Sequence, residues 1–450
     1  MARRRQHALL RVLLNNRLVG HLNKAPGGTI SFVYDEAWLA WEHALPVSLS
    51  LPLREDPYRG APVAAVFDNL LPDSDALRRR VAEKVGAAGA DTYSLLAAIG
   101  ADCVGALQFV AADADADHHD HRHCANGNDP NSIVGDPVDD RTIEALLRGL
   151  VQTPLGLNRE DPFRISVAGA QEKTALLWHD GHWLKPHGTT PTTHILKTQI
   201  GRLPNGIDLS NSVENEYYCL KLAAAFGLPV NQAWIQTFGS TKALVVERFD
   251  RRWTRTGRLL RLPQEDCCQA LSVSPTRKYQ SDGGPGIVDV LDLLQGSDNP
   301  AFDRQTVFKA QILFWLIGAT DGHAKNFSVF LGPGGGYRLT PLYDVLTAQP
   351  SLDKRQIERK EMKLAMSVGT RRHYRIEEIM RRNFVQTGQE AGLPKTAVHR
   401  AIEELADSAT DALDKTAKDL PADFPAGIHD AVSAGVSRRL GRLASGSGHM

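Results

Sequence analysis

The sequence predicts an α+β protein of two or three domains, on three observations. A chain of 450 residues is longer than one hydrophobic core serves, since domains typically run to ~50–200 residues. Short strand patterns fill the N-terminal quarter and the middle of the chain, each set interrupted by single helices. From about residue 266 onward the pattern is helical except for one stretch, "LIGATDGHAKNFSVFLGPGGGYRLTPLYDV" at 316–345.

Composition narrows the class. Apolar residues make up 42% and charged residues 23%, and 52 Lys+Arg balance 52 Asp+Glu. That balance excludes a protein whose whole surface grips nucleic acid and leaves room for a local basic patch. No run approaches the ~18 apolar residues of a membrane helix. The opening "MARRRQHALLRVLLNNRLVG" has basic residues but no long apolar run and no small-residue cleavage site. It reads as the first strands of a domain and not as a signal peptide. The five cysteines are odd in number and show no CxxC spacing, which fits a reducing cytosol better than a disulfide framework. The last six residues, "SGSGHM" (445–450), read as an appended tail outside the fold.

The elements follow in order. Residues 8–34 alternate as short strands around turns at "NNRLVG" and "APGGT". Asp73 or Ser74 caps a helix that ends near Gly86. "SLLAAIG" reads as a short helix stopped by Gly100, and "CVGALQFV" as a strand closing a small α+β unit near 112. Residues 113–137 form a flexible polar insertion, nearly devoid of apolar side chains. Its His118, His119, His121 and His123 with Asp117 and Asp120 are a candidate metal cluster, set against the plainer reading of a solvated loop.

The region from 138 to 265 begins with the amphipathic helix "RTIEALLRGLV". "RISVAGAQEKTALLWHDGHWLKP" then gives two or three strands broken at Gly169 and at Asp180-Gly181, and "THILKTQI" another. "NSVENEYYCLKLAAAFG" is a helix ended by Gly227, and a strand pair follows. In the third region "TVFKAQILFWLIGA" is apolar nearly all round and should be buried. Residues 375–384 and 396–417 also read as helices.

The motifs point to phosphoryl transfer. "GAQEKT" lacks the GxxxxGK[ST] pattern and runs into a strand, which argues against a P-loop. Small Ala168, Gly169 and Ala170 instead suit a strand–loop–strand hairpin that lays backbone N–H groups over phosphates; taken alone, the segment reads better as an ordinary hairpin turn. A strand lysine to meet those phosphates is available in Lys197. Glu214 and Glu216 on the next helix are the candidates to hold it. They lie about 200° apart around the helix, so at most one reaches the site. Asp321 precedes Asn326 by five residues, the spacing between base and Mg²⁺-binding Asn in a kinase catalytic loop. Asp344 lies just beyond a hairpin, as the second Mg²⁺-binding Asp does there, although "VL" follows it instead of "FG". Lys325, between them, is placed to stabilise charge on the moving phosphoryl group. A metal hydrolase built on Asp321 and His323 lacks the cluster of His and carboxylate ligands such sites need.

Ten segments, "FDNLLPDS", "DCVGALQF", "ISVAGAQEK", "PTTHILK", "VENEYYC", "VVERFDR", "RLPQEDCCQAL", "KYQSDGGPG", "LIGATDGHAKNFSVF" and "LTPLYDV", together resemble the HipA family. These are serine/threonine kinase toxins of bacterial type II toxin–antitoxin systems, and the likeness runs from about residue 8 to 350. It implies a protein-kinase-like two-lobed fold: an N-terminal subdomain (1–112), a central nucleotide-binding lobe (138–265) and an all-helical catalytic lobe (266–444). The implied cofactors are ATP and Mg²⁺. Asp321 matches the family's catalytic Asp, Asn326 and Asp344 its Mg²⁺ ligands, and Lys197 its ATP-phosphate lysine. Val167, Ala168, Gly169, Ala170 and Lys173 fall in its ATP loop. Glu247 and Phe249 resemble the interlobe segment that contacts adenine. Ser166 sits where the family carries an autophosphorylated serine. About two added charges there favour a flipped-out loop and switch the kinase off. The implied partners are a HipB-like helix-turn-helix antitoxin, operator DNA mainly through that antitoxin, and a protein substrate such as glutamyl-tRNA synthetase. All of this places the chain in the cytoplasm. "RRHYRIEEIMRR" (371–382) is where the chain itself would touch DNA phosphates, although as sequence it reads as a solvated helix face. The alternative is a catalytically idle corepressor that binds antitoxin and operator, which the intact Asp321, Asn326 and Asp344 set disfavours.

Overall fold

A computed structural model describes residues 8–111, 133–169 and 171–444. Ala170, the His-rich segment up to His123, Cys124 and the tail 445–450 lie outside the described residues. Among the described residues no helix is long and apolar enough to cross a membrane, and Cys103, Cys219, Cys267 and Cys268 are free thiols, all buried.

The N-terminal unit is a five-stranded antiparallel sheet in the order Tyr58–Arg59, Ile30–Tyr34, Arg17–Lys24, Leu10–Leu14, Leu107–Ala111. Leu10, Val12 and Leu14 alternate inward, as do Ile30, Phe32 and Tyr34, the period-2 pattern of a sheet covered on one face. Gly20 has no substitute here, because a Cβ would meet Val33 O at 2.2 Å. The helices Ala61–Asp68, Asp75–Val85 and Thr92–Ile99 complete the unit. Ser74, not Asp73, caps the second by accepting from Leu77 N, and left-handed Gly86 ends it. Ala61–Asp68 escaped the sequence reading because "APVAAVFD" has no polar face to set a helical period and no side-chain cap.

The central lobe is a six-stranded antiparallel sheet ordered Ala233–Phe238, Thr241–Glu247, His194–Thr198, Lys173–His179, His182–Pro186, Gly135–Val138. Residues 135–137, expected in the polar insertion, belong to its edge strand. Side-chain parity assigns the two faces. Leu176, Leu196, Ala243 and Val245 pack with Ile143 and Leu147 of the helix Asp140–Gly149. Leu244 and Val246 pack with Val213 and Tyr217 of the helix Ser212–Ala225, and Ile195 lies against them. Lys197, two residues after Ile195, therefore faces the helix that carries the two glutamates.

The C-terminal lobe is built on Pro300–Ile317, whose last seven residues are all buried, as its apolar circumference required. The lobe is helical apart from a three-stranded sheet (Gln264–Asp266, Ser328–Leu331, Tyr337–Leu339) and a hairpin (Lys363–Val368 with His373–Arg375), so the all-helical expectation is corrected there. The helix expected at 375–384 begins only at Arg381. Ile376 and Ile379 are both buried and three apart, which imitates helical spacing. They belong instead to a strap over Trp315, whose Nε1 donates to Ile376 O at 2.9 Å. The segment 396–417 is two helices, Lys395–Asp407 and Ala409–Lys418, broken at Ser408.

A buried ion cluster joins the N-terminal unit to the interlobe strand. Asp102 accepts from Arg251 at 2.8 Å, Arg261 at 3.0 Å and Arg248 at 3.3 Å. Asp250 accepts from Arg248 at 2.8 Å and from Gly105 N at 2.6 Å. Burial alone would raise the Asp102 carboxyl, but the three guanidinium groups outweigh it and hold it well below the usual range.

Candidate active site

A cavity of about 770 Å³ lies between the lobes. Its apolar side includes Val104, Ile195, Val246 and Phe249. Its polar floor includes Lys173, Lys197, Asp321, Asn326 and Asp344. Cavities of this size and character hold cofactors.

Lys197 is the centre of the floor. Its Nζ lies 2.7 Å from Glu216 Oε1 and 2.7 Å from Asp344 Oδ1. Glu214 points the other way, to Lys242 at 2.9 Å and Gln199 at 2.7 Å, so Glu216 is the partner the sequence left open. Burial opposes the charge on Lys197, yet the two carboxylates hold its pKa above the usual lysine value. Asp344 is the converse case. Burial raises it, while Lys197 and then Lys173 hold it below the usual carboxylate range. Its backbone sits in the left-handed region (φ +57°), an uncommon place for a non-glycine residue.

Lys173 is the cross-strand neighbour of Lys197. Burial and the Lys197 ammonium push it down to about 8. Its ammonium donates to Ala168 O, closing the loop over the floor. Val167, Ala168 and Gly169 line the cavity, and Gly169 needs its φ of +109° there, where a Cβ would meet Lys173 Nζ at 2.5 Å. The loop is not the expected hairpin. Lys173–His179 already pairs with His194–Thr198 on one edge and His182–Pro186 on the other, so the preceding chain finds no ladder. It docks on the N-terminal unit instead, through Ser166 N to Asp102 O at 2.9 Å and Asp73 N to Gly169 O at 3.3 Å. Ser166 is fully buried, with Oγ donating to Leu70 O at 2.7 Å.

Asp321, Asn326 and Asp344 come together, as their spacing indicated. Asp321 is exposed at the cavity mouth. Asn326 Nδ2 donates to Asp321 O at 2.9 Å and to Asp344 O at 3.4 Å, tying the two acidic segments together. That leaves Asn326 Oδ1 and the second oxygen of Asp344 able to hold a cation. Two protein oxygens completed by phosphate and water suit Mg²⁺, and among the described residues no cluster of three His, Cys, Asp or Glu offers a metal cage.

Two assignments change. Lys325 lines the cavity, but its ammonium is already engaged: Nζ donates to Asn69 O at 2.7 Å, Asn69 Oδ1 at 2.9 Å and Asp266 Oδ2 at 2.7 Å, which uses all three donors. Glu247 is exposed and its side chain is outside the cavity, whereas Phe249 lines the wall beside Tyr343, ring centroids 5.6 Å apart.

The sequence reading missed Tyr279, Asp73 and Lys278. Tyr279 Oη donates to Asp321 Oδ1 at 2.5 Å and its ring meets buried His323 edge-on at 5.0 Å. Burial, then Tyr279's neighbour Asp321, raise the phenol above its usual pKa, so it remains a donor. Asp73 pairs with Lys278 at 2.7 Å on the cavity rim. Their segments, "FDNLLPDS" and "KYQSDGGPG", were noticed as likeness alone, since their partners are some 40 to 200 residues away in sequence.

Residues 165–413 match the family model of the HipA-like C-terminal domain, and residues 10–110 that of the HipA N-terminal domain. The chain is 35% identical over 414 residues to a putative kinase, Y4mE, of Sinorhizobium fredii, covering 91% of this chain and 92% of the other. It is 29% identical over 373 residues to the serine/threonine-protein kinase toxin HipA of Shewanella oneidensis, covering 80% and 78%. The HipA of a solved Shewanella oneidensis complex with HipB and operator DNA superposes with a TM-score of 0.77 at 25% identity, over 97% of this chain and 98% of that one.

Proposed function

The chain belongs to the HipA family and is a serine/threonine protein kinase toxin, and on that premise we propose that it transfers the terminal phosphoryl group of ATP to a protein hydroxyl at the cavity described above. The observation that carries the assignment of the site is Lys197 held at 2.7 Å by both Glu216 and Asp344. A strand lysine paired with a helix glutamate beside a metal-binding Asp is the arrangement an active kinase needs.

The residues divide the work. Phe249 and the apolar wall take the base, and the small residues Ala168 and Gly169 let backbone approach the phosphates. Lys197 and Lys173 meet phosphate oxygens. Asn326 and Asp344 hold Mg²⁺, which when bound neutralises charge on the phosphates. Asp321 orients the acceptor hydroxyl and receives its proton, with Tyr279 fixing the carboxylate meanwhile.

Ser166 is the proposed autophosphorylation site. Its hydroxyl is enclosed, so modification requires the loop to leave its seat. A phosphate of nearly two charges could not return to that pocket, and Val167, Ala168 and Gly169 would stay withdrawn from the nucleotide. A HipB-like antitoxin and operator DNA are the proposed partners, by analogy with the solved relative. A translation factor such as glutamyl-tRNA synthetase is the proposed target, on family resemblance.

Incubation with labelled ATP and Mg²⁺ followed by mass spectrometry tests the reading. Wild type should label Ser166 and a protein of a bacterial extract. Asp321→Gln and Asp344→Ala should abolish labelling while their circular dichroism and cooperative melting are retained. Undiminished labelling in either variant would falsify the assignment. An unlabelled protein that still represses its operator with antitoxin would favour the corepressor.

A further inference from the structure

A second cavity, of about 440 Å³, opens on the far side of the proposed base. Thr320 lines both cavities. Tyr279 lines the second and hydrogen-bonds Asp321 at 2.5 Å, so a single tyrosine divides it from the reacting carboxylate. The opposite wall is the hairpin Lys363–Val368/His373–Arg375. It is held to the Tyr279 loop by Ser367 N donating to Gln280 Oε1 at 2.7 Å, so the wall is preformed. Three cations line the cavity, Lys363, Arg372 and Arg375, against one carboxylate, Glu378. Arg375 is paired with Glu378 at 2.9 Å. Lys363 and Arg372 are exposed and have no carboxylate partner among the described residues.

We propose that this cavity is the subsite for the protein substrate, receiving an extended segment that carries an Asp or Glu beside its acceptor serine or threonine. The inference rests on the kinase reading and deepens it. Tyr279 Oη occupies Asp321 Oδ1, so the acceptor hydroxyl must come to the other carboxylate oxygen, and a chain reaching it past Tyr279 has to cross the cationic cavity. Two unpaired cations in a concave site take a carboxylate by charge complementarity. Arg372 and Arg375 of the run 371–382, which as sequence reads as a solvated face or a contact to DNA phosphates, acquire a different role here. A convex phosphate contact to DNA fits less well, because the site is a cavity that ends at the base.

The test uses the full chain, ATP, Mg²⁺ and a degenerate serine-centred peptide library. Asp or Glu should be enriched at fixed positions near the labelled serine. Lys363→Glu/Arg372→Glu should lower kcat/KM for the acidic peptides at least tenfold, mainly through KM, and shift preference to Lys or Arg at the same positions. Mg–ATP affinity, read by calorimetry, should stay within twofold. Labelling indifferent to acid, acidic preference unchanged in the double variant, or no labelled peptide while the chain labels itself would each overturn the subsite. Loss of binding to fluorescein-labelled duplex DNA by the double variant, with peptide labelling intact, would assign the cations to nucleic acid and overturn it as well. A wild type that neither binds Mg–ATP nor labels anything would remove the kinase reading, and this subsite with it.

Discussion

Asp102→Asn tests the tie between the N-terminal unit and the nucleotide lobe. Asp102 and Asp250 face three guanidinium groups, all five buried, so the cluster carries one net positive charge and would carry two in the variant. At an effective dielectric of about 20, each contact at 3–4 Å is worth about 4 kcal/mol. Burying a carboxylate costs several kcal/mol, and the variant is spared that cost. Asn adds a donor, however, where Arg251, Arg261, Arg248 and the Thr192 N–H all donate. The net loss should be about 3–5 kcal/mol, the usual result of breaking a buried pair from one side. Urea unfolding by near-UV circular dichroism measures it. The pH dependence has a definite sign. The folded carboxyl lies below the ordinary value of 3.8, so its contribution is complete above that value and disappears as pH falls below it. The gap between wild type and variant should therefore narrow in acid. Arg248 lines the nucleotide cavity, so ATP affinity should fall together with stability. A variant within about 1 kcal/mol of wild type at neutral pH, beyond the scatter of neutral surface changes, would refute the view that this cluster holds the two units together.

Glu216→Gln should slow phosphoryl transfer at least about tenfold, the equivalent of 1.4 kcal/mol in the barrier, whereas Glu214→Gln, facing Lys242, should leave the rate near wild type in the same kinase assay. Lys173 titrates near 8 when folded against 10.5 ordinarily, so the folded state releases that proton first and stability should rise between those values by roughly 3–3.5 kcal/mol. Lys197, raised above 10.5, loses its contribution only at higher pH, and Lys173→Met should flatten the rise in a thermal melt series. Lys325→Met leaves Asp266 and Asn69 without their buried cation and should cost about 3–5 kcal/mol of stability; a drop in kcat with unchanged melting would return Lys325 to the phosphoryl group.

What the sequence made legible was local. Asp321, Asn326 and Asp344 lie within 24 residues of each other on a loop and a hairpin, so their spacing carried their geometry. The apolar circumference of Pro300–Ile317 likewise announced its burial. The choice between Glu214 and Glu216 was not local. Helix geometry says only that they diverge, and the parity of the strand holding Lys197, fixed by pairing with distant chain, decides which one meets it. Lys325 shows the opposite failure. Its place between Asp321 and Asn326 suggested chemistry, but its partner Asn69 is 256 residues away. The loop before Lys173 looked like half of a hairpin because nothing local reveals that both edges of the neighbouring strand are taken.

That docked loop bears on how self-phosphorylation could act. Freeing it breaks three hydrogen bonds, Ser166 Oγ to Leu70 O, Ser166 N to Asp102 O and Asp73 N to Gly169 O, at about 1 kcal/mol each. It also exposes Phe163, Ile165 and Val167, all at most 3% exposed now, each worth about 1.5–3 kcal/mol of burial. The sum exceeds about 5 kcal/mol, so the open form is populated below roughly one part in 10³. If Ser166 is the autophosphorylation site, as proposed above, transfer to it must draw on that rare form, while transfer to another protein would use the closed one. That asymmetry would make the closed kinase long-lived and a Ser166-modified one unable to reclose, because a dianion cannot re-enter a pocket sealed by Leu70 O and buried aliphatic side chains. On that proposal, loop and N-terminal unit form a latch whose setting depends on Leu70, which lines the cavity, and on Asp102, which does not.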